Sequence, residues 1–145
     1  MKVIVQRSKY AKVEVNNELI NEIERGLVLL VGFTHTDTVE DIEYLVKKIA
    51  NLRIFDDENG LMNKSILDVG GFILSISQFT LYADSKKGNR PSYINALGGD
   101  QAIKLYELFN KRLNEFVETK SGIFGADMQV TLTNDGPVTI ILESK

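Results

Sequence analysis

The 145-residue chain has no cysteine, one histidine and two prolines. Without cysteine there are no disulfides, no thiolate metal sites and no thiol nucleophile, a composition that suits a reducing cytosol. The lone histidine, His35 in "THTD", limits any serine–histidine–acid arrangement to that one side chain. The same stretch offers two metal ligands at best, so no metal site is expected. Phosphate-loop patterns are missing too: Gly70-Gly71 and Gly98-Gly99 stand alone, and turns explain them. "DDENG" has acids but not the ligand spacing of a calcium loop. The longest apolar run, "GLVLLVGF" at 26–33, is far too short to span a membrane. The opening "MKVIVQRSKY" interrupts its apolar run at Gln6-Arg7, too early for a secretory signal. A cytoplasmic protein without membrane association is expected.

What is present reads as an ordinary globular protein, with 43% hydrophobic and 26% charged residues. A net charge of −3 gives no global attraction to nucleic acid. The charge is uneven, however: "ADSKKGNRPSY" sets Lys86, Lys87 and Arg90 against the single acid Asp84. Such a loop either grips a few phosphates or is a solvated, solubilising segment.

No repeat or linker divides the chain, so residues 1–145 are expected to form a single domain. Residues 2–6 read as one apolar strand, and the alternation in "AKVEV" marks a second, half-buried one. Asn16-Asn17 turns the chain into "ELINEI", and Gly26 precedes a buried strand from Leu27 to Phe33. Its all-apolar "LVLLV" demands cover on both faces. A first helix is expected from Asp37 as cap, with Glu40 three residues on and Ile42, Leu45, Val46 and Ile49 on one face. "RIF" reads as a short strand and "FILSIS" as another, running directly into Gln78-Phe79-Thr80. A second helix starts near Asp100, with Ala102, Tyr106, Phe109, Leu113 and Phe116 at helical spacing. "MQVTL" and "VTIIL" close the chain as two strands, with Asn134-Asp135-Gly136-Pro137 as the turn between them. The result is an α+β domain with two main helices on one face of a strongly curved sheet.

Three segments carry chemistry. "SQFTL", Ser77 to Leu81, puts hydroxyls and an amide where a buried strand emerges, a stiff mount for reactive groups and for backbone N–H donors. Ser77 and Thr80 can equally well satisfy local backbone groups there. "GNRPSY", 88–93, joins the Arg90 guanidinium to a rigid turn and an aromatic ring, a phosphate-binding combination. "NDGPVT", 134–139, places a proline at the mouth of a strand it cannot help to pair.

Taken together, these three segments resemble the motifs of the D-aminoacyl-tRNA deacylases. The likeness extends to Gln6-Arg7, to "RIF" followed by Met62-Asn63, and to "ADMQV" at 126–130, and it covers essentially the whole chain in order. It implies a barrel-like fold and a homodimer that hydrolyses the ester between a D-amino acid, or glycine on a mismatched tRNA, and the tRNA 3′ end. The role would be translational quality control, with no cofactor and no protein partner beyond the second copy.

The resemblance also implies residue roles. Backbone N–H groups at Phe79 and Thr80 would form an oxyanion hole, while Ser77, Gln78 and Thr80 position the ester and the terminal adenosine. Water activated with help from the ribose 2′-hydroxyl is preferred over Thr80 as nucleophile. Gly136-Pro137, with its peptide bond cis, would reach into the partner's pocket and exclude L-residues by collision, and Arg7 would brace that turn. Phe124, Ala126 and Met128 either line the pocket or form an alternating core strand. Lys86, Lys87 and Arg90 would bind tRNA. Two other readings remain open at this point: a noncatalytic RNA-binding module, and a conventional serine hydrolase using Ser77 and His35.

Overall fold

The computed structural model describes all residues, 1–145. Its organising element is a single long strand, β1 (Lys2–Val15), and not the two strands read from the sequence. The first half of β1 pairs antiparallel with β3 (Gly26–Gly32), and its second half with β2 (Glu18–Ile23). The turn between β1 and β2 is made by Asn16 and Asn17, both at positive φ (50° and 63°), where asparagine is tolerated. On the other side of β1 lies β8 (Gln129–Glu143), antiparallel along nearly its whole length. β6 (Phe72–Ser77) runs parallel to β3, and β7 (Thr119–Ser121) parallel to β6.

The six strands curve into a nearly closed barrel. Its two path ends, β2 and β7, meet through side chains: Asn21 Nδ2 donates to the Ser121 carbonyl at 2.6 Å, and Lys120 Nζ to the Glu22 carbonyl at 3.1 Å. A separate two-residue strand, β4 (Phe55–Asp56), pairs with β5 (Met62–Lys64). β4 begins two residues after the start of the expected "RIF" strand, and Arg53 and Ile54 lie outside it.

Two helices, α1 (Val39–Ala50) and α3 (Gly99–Asn114), pack on one face of the sheet, and α2 (Ile66–Val69) is a single turn. The cap of α1 is Thr38, not Asp37: Asp41 Oδ2 accepts the Thr38 amide at 2.8 Å, taking the part assigned to Glu40. Asp37 instead accepts the Thr34 amide at 2.7 Å, closing the loop ahead of the helix. Burial on its own would raise the Asp41 carboxyl, but hydrogen bonds from the Thr38 amide, Ser144 and Lys145 hold it well below the usual carboxylate range. α3 stops at Asn114, so Phe116 leaves the apolar face and is 43% exposed, and buried Val117 takes its place in the core.

The "LVLLV" run is covered on both sides, as its composition demanded. Leu27, Leu29 and Val31 join Ile42, Leu45, Ile49, Phe109 and Leu113 under the helices. Val28 points the other way, into the barrel, with Ala11, Val13, Leu74 and Ile76. Apolar burial of this kind is worth roughly 1.5–3 kcal/mol per large side chain before entropy is counted. No helix is long and apolar enough to cross a membrane.

The largest departure from the sequence reading is at the end of the chain. Asn134–Pro137 is not a hairpin turn, because both flanking segments pair with β1 in the same direction. The ladder runs from Lys2↔Glu143 to Gln6↔Thr139, skips, and resumes from Ser8↔Asn134 to Glu14↔Gln129. Residues 135–138 therefore bulge out of one continuous strand opposite Arg7.

Candidate active site

β3 and β6 are parallel and end together, so Leu30 and Val31 lie beside Ile76 and Ser77. Beyond Ser77 the chain turns through Gln78 into a 3-10 turn, Phe79–Tyr82. Gly32 allows this turn to sit close, since a Cβ there would lie 2.9 Å from the Gln78 carbonyl oxygen. The Gln78 amide donates back to the Val31 carbonyl at 2.7 Å, locking the turn to the strand end. At this place a cavity of about 290 Å³ opens, lined by Ser77, Gln78 and Phe79 on one side and by Phe124–Met128 on the other.

The facing loop is set by one carbonyl. Ser75 O accepts the Gly122 amide at 3.2 Å and the Tyr106 hydroxyl at 2.8 Å, so a single point on β6 positions both the loop and α3. Burial pushes the Tyr106 hydroxyl's pKa up, which keeps it a proton donor for that bond. The Tyr106 ring contacts Phe124, with centroids 5.7 Å apart. Met128 folds back over Gly122, whose missing side chain makes the room. Phe124, Ala126 and Met128 thus belong to a loop, not to the alternating strand that was the other reading, and all three line the cavity.

Thr80 does not line the cavity but touches it through Gln78, whose Nε2 donates to Thr80 Oγ1. As the first two residues of a 3-10 turn, Phe79 and Thr80 have no acceptor within it for their N–H groups. Neither amide donates to a loop carbonyl elsewhere. His35 is exposed and its Nε2 bonds the Ile94 carbonyl at 2.9 Å, which commits that nitrogen away from Ser77. Lys86, Lys87 and Arg90 sit on an exposed loop outside the cavity. No three His, Asp or Glu side chains converge as metal ligands would.

Gly136 and Pro137 are exposed, joined by a cis peptide bond, and absent from this cavity. Val130 of β8 lines the cavity, and six further residues of strand put Gly136 about 20 Å away. The bulge is nevertheless firmly tied. Arg7, 8% exposed, donates from Nε to the Asp135 carbonyl at 3.2 Å and from Nη1 to the Ile54 carbonyl at 2.8 Å. It also pairs with Asp56 at 3.4 Å and with the Asp135 carboxylate at 3.3 Å. On the far side of the bulge Thr139 Oγ1 donates to the Pro137 carbonyl at 3.2 Å and accepts from Asn134 Nδ2 at 2.9 Å.

Sequence reading missed several members of this arrangement. Asn134 and Thr139 stood in the quoted motif, but only the bulge reveals that they brace each other. Gly32 carried a signal, a glycine closing an apolar strand. Asp127, the cavity's one charged lining residue, carried none.

The sequence model describing D-Tyr-tRNA(Tyr) deacylase matches residues 4–143. That match puts the chain among the hydrolases that cleave the ester bond of aminoacyl-tRNA. A D-aminoacyl-tRNA deacylase of Geobacillus sp. (strain WCH70) is 57% identical over 100% of this chain and 96% of its own length. One from Bacillus cytotoxicus is 56% identical over 100% of both. The chain belongs to the D-aminoacyl-tRNA deacylase family. Among solved structures, one described as c-Myc DNA Unwinding Element Binding Protein is similar at a TM-score of 0.95, with 44% identity over 100% of this chain and 99% of that one. A probable eukaryotic D-amino acid tRNA deacylase shares the fold at a TM-score of 0.83, with 17% identity over 97% of each chain.

Proposed function

We propose that this D-aminoacyl-tRNA deacylase works as a homodimer in which each cavity is completed by the Gly136-Pro137 bulge of the other copy. The observation that carries this reading is that the exposed cis Gly136-Pro137 bulge lines no part of its own chain's cavity. Three features support it. The bulge is exposed and anchored on both sides by Arg7 and Thr139. β8 is a free sheet edge fifteen residues long, the kind of edge that a second copy covers. Gly136 has no side chain, so main chain itself can approach a ligand.

In the completed site, backbone from residues 136 and 137 faces the substrate's chiral carbon. A D-residue turns hydrogen toward that wall, an L-residue its side chain, and glycine hydrogen again. Selection therefore works by collision, tolerates any D side chain, and admits glycine. Phe124, Ala126 and Met128 shape the opposite wall.

The unpaired N–H groups of Phe79 and Thr80 receive the carbonyl oxygen as it becomes an oxyanion, each donor contributing roughly 2.7–4 kcal/mol in sites of this kind. Ser77 and Gln78, with Thr80 held by Gln78, position the ester and the terminal adenosine. Water, its proton drawn off through the ribose 2′-hydroxyl, adds to the carbonyl. The bond to the 3′ oxygen then breaks, that oxygen takes a proton, and free amino acid and tRNA leave. Lys86, Lys87 and Arg90 hold tRNA phosphates, and the work is cytoplasmic quality control of translation.

Release of tyrosine from D-Tyr-tRNA and L-Tyr-tRNA tests this directly. The expected outcome is release from the D-ester at least a hundredfold faster than from the L-ester. Equal rates would remove the chiral wall, and no release from either would leave a nucleic-acid-binding protein without this chemistry.

A further inference from the structure

Beside the cavity, three apolar side chains are left in water: Phe79 is 55% exposed, Tyr93 43% and Ile94 78%. The Phe79 and Tyr93 rings meet edge to face, with centroids 5.1 Å apart and planes at 70°. The backbone holding them is pinned and cannot fold them away. Asp84 and Ser92 exchange two hydrogen bonds of 2.8 Å at the base of the loop between them. Thr34 Oγ1 donates to the Asn95 carbonyl at 2.6 Å, His35 Nε2 to the Ile94 carbonyl at 2.9 Å, and the Leu97 amide to the Phe33 carbonyl at 2.9 Å. The loop that leads into this ring pair carries Lys86, Lys87 and Arg90, none of which forms an ion pair within the chain.

We infer that the Phe79–Tyr93 pair and Ile94 form a stacking platform for the unpaired nucleotides that precede the terminal adenosine of the tRNA 3′ end. This inference rests on the reading of the cavity as the ester site. Exposed rings next to free cations match the chemistry of single-stranded nucleic acid, in which flat bases alternate with phosphates. Only Phe79 of the three lines the cavity, so the other two lie where the chain of nucleotides leaves it. Three free cations beside the rings call for phosphates rather than for a further apolar contact with a second copy of this chain. His35 also gains a role: its ring holds the Ile94 carbonyl and thereby the platform, without touching the reaction.

The test compares two substrates, D-Tyr-tRNA and 3′-O-D-tyrosyl-adenosine, which has the ester but no preceding nucleotides. With Tyr93→Ala, KM for the tRNA ester is expected to rise about tenfold, in keeping with the loss of one stacked base, at unchanged kcat. KM for the adenosine ester stays at the wild-type value, and Tyr93→Phe restores tRNA binding. Ile94→Ser, at a far more exposed position, gives the same split with a smaller rise and serves if Tyr93→Ala does not fold. Equal effects on both substrates, no effect on the tRNA ester, or dissociation of the oligomer by Tyr93→Ala would each overturn the platform. A wild-type protein inactive on both esters would instead refute the underlying assignment of the cavity.

Discussion

Around the cavity, two backbone amides have no partner within their own turn, whereas at the bulge side chains tie down two main-chain carbonyls. The Phe79 and Thr80 amides have no acceptor within their own turn, and the rings at the rim face water. At the bulge, Arg7 holds the carbonyl before Gly136 and Thr139 holds the one after it. Among the buried side-chain atoms there, only Asn134 Oδ1 is without a partner. This contrast fits two different tasks. A surface that must bind developing charge needs free donors aimed at one point. A surface that must reject a shape needs main chain that does not yield, and rigidity comes from tying its carbonyls down.

Removing Arg7 tests the rigid half most severely. Arg7→Ala deletes hydrogen bonds to two carbonyls and strands Asp56 and Asp135 without their cation. A stability loss of about 2–4 kcal/mol is expected in denaturant titration. In the fraction that stays folded, L-Tyr-tRNA hydrolysis should rise relative to D, because the wall can then retreat. A variant with wild-type stability and an unchanged D-to-L ratio would show that the bulge does not depend on its brace.

A smaller effect is expected from Gly136→Ala. Gly136 has φ of +117°, outside the range side chains favour, and its new methyl would lie 2.8 Å from Val138 Cγ2 and 3.1 Å from Arg7 Nη2. Strain of about 1–3 kcal/mol follows whatever the bulge does. Release from D-Tyr-tRNA should fall at least tenfold at a temperature where the variant remains folded. An unaltered rate there would separate the bulge from the reaction.

The cavity half was easier to read from sequence than the bulge half, for a physical reason. "SQFTL" follows an apolar strand without a break, so its place at a strand end follows from period and composition alone. Phe124, Ala126 and Met128 were recognisable as apolar but not as a loop, since alternation looks the same whether or not a ladder supports it. At the bulge, Asp-Gly gives the same local signal whether the chain reverses or steps out of line. What decides is Arg7, more than a hundred residues away in sequence, whose side chain fills the gap opposite. Pairing partners of that separation leave no local trace. The Asp37 cap failed for a simpler reason: Asp37 and Thr38 are both good caps one residue apart, and the position of Asp41 selects the second.

The mildest expected change tests the receptive half. Thr80 has the only aliphatic hydroxyl in the 3-10 turn, and a nucleophilic role would require a base to take its proton. Gln78 Nε2 donates into Thr80 Oγ1, and an amide nitrogen cannot accept the proton that attack would release. The one histidine holds a carbonyl of the rim loop. On the proposed mechanism Thr80 is an orienting group, and its loss frees Gln78 without removing the Phe79 and Thr80 amides. Thr80→Ala should keep kcat for D-Tyr-tRNA within about tenfold of wild type, the scale of one misplaced hydrogen bond. Rapid acid quench should find no amino acid bound to the wild-type protein. Activity reduced to background, or a tyrosyl ester recovered on Thr80, would move the chemistry from water to the side chain and make the turn a reacting element.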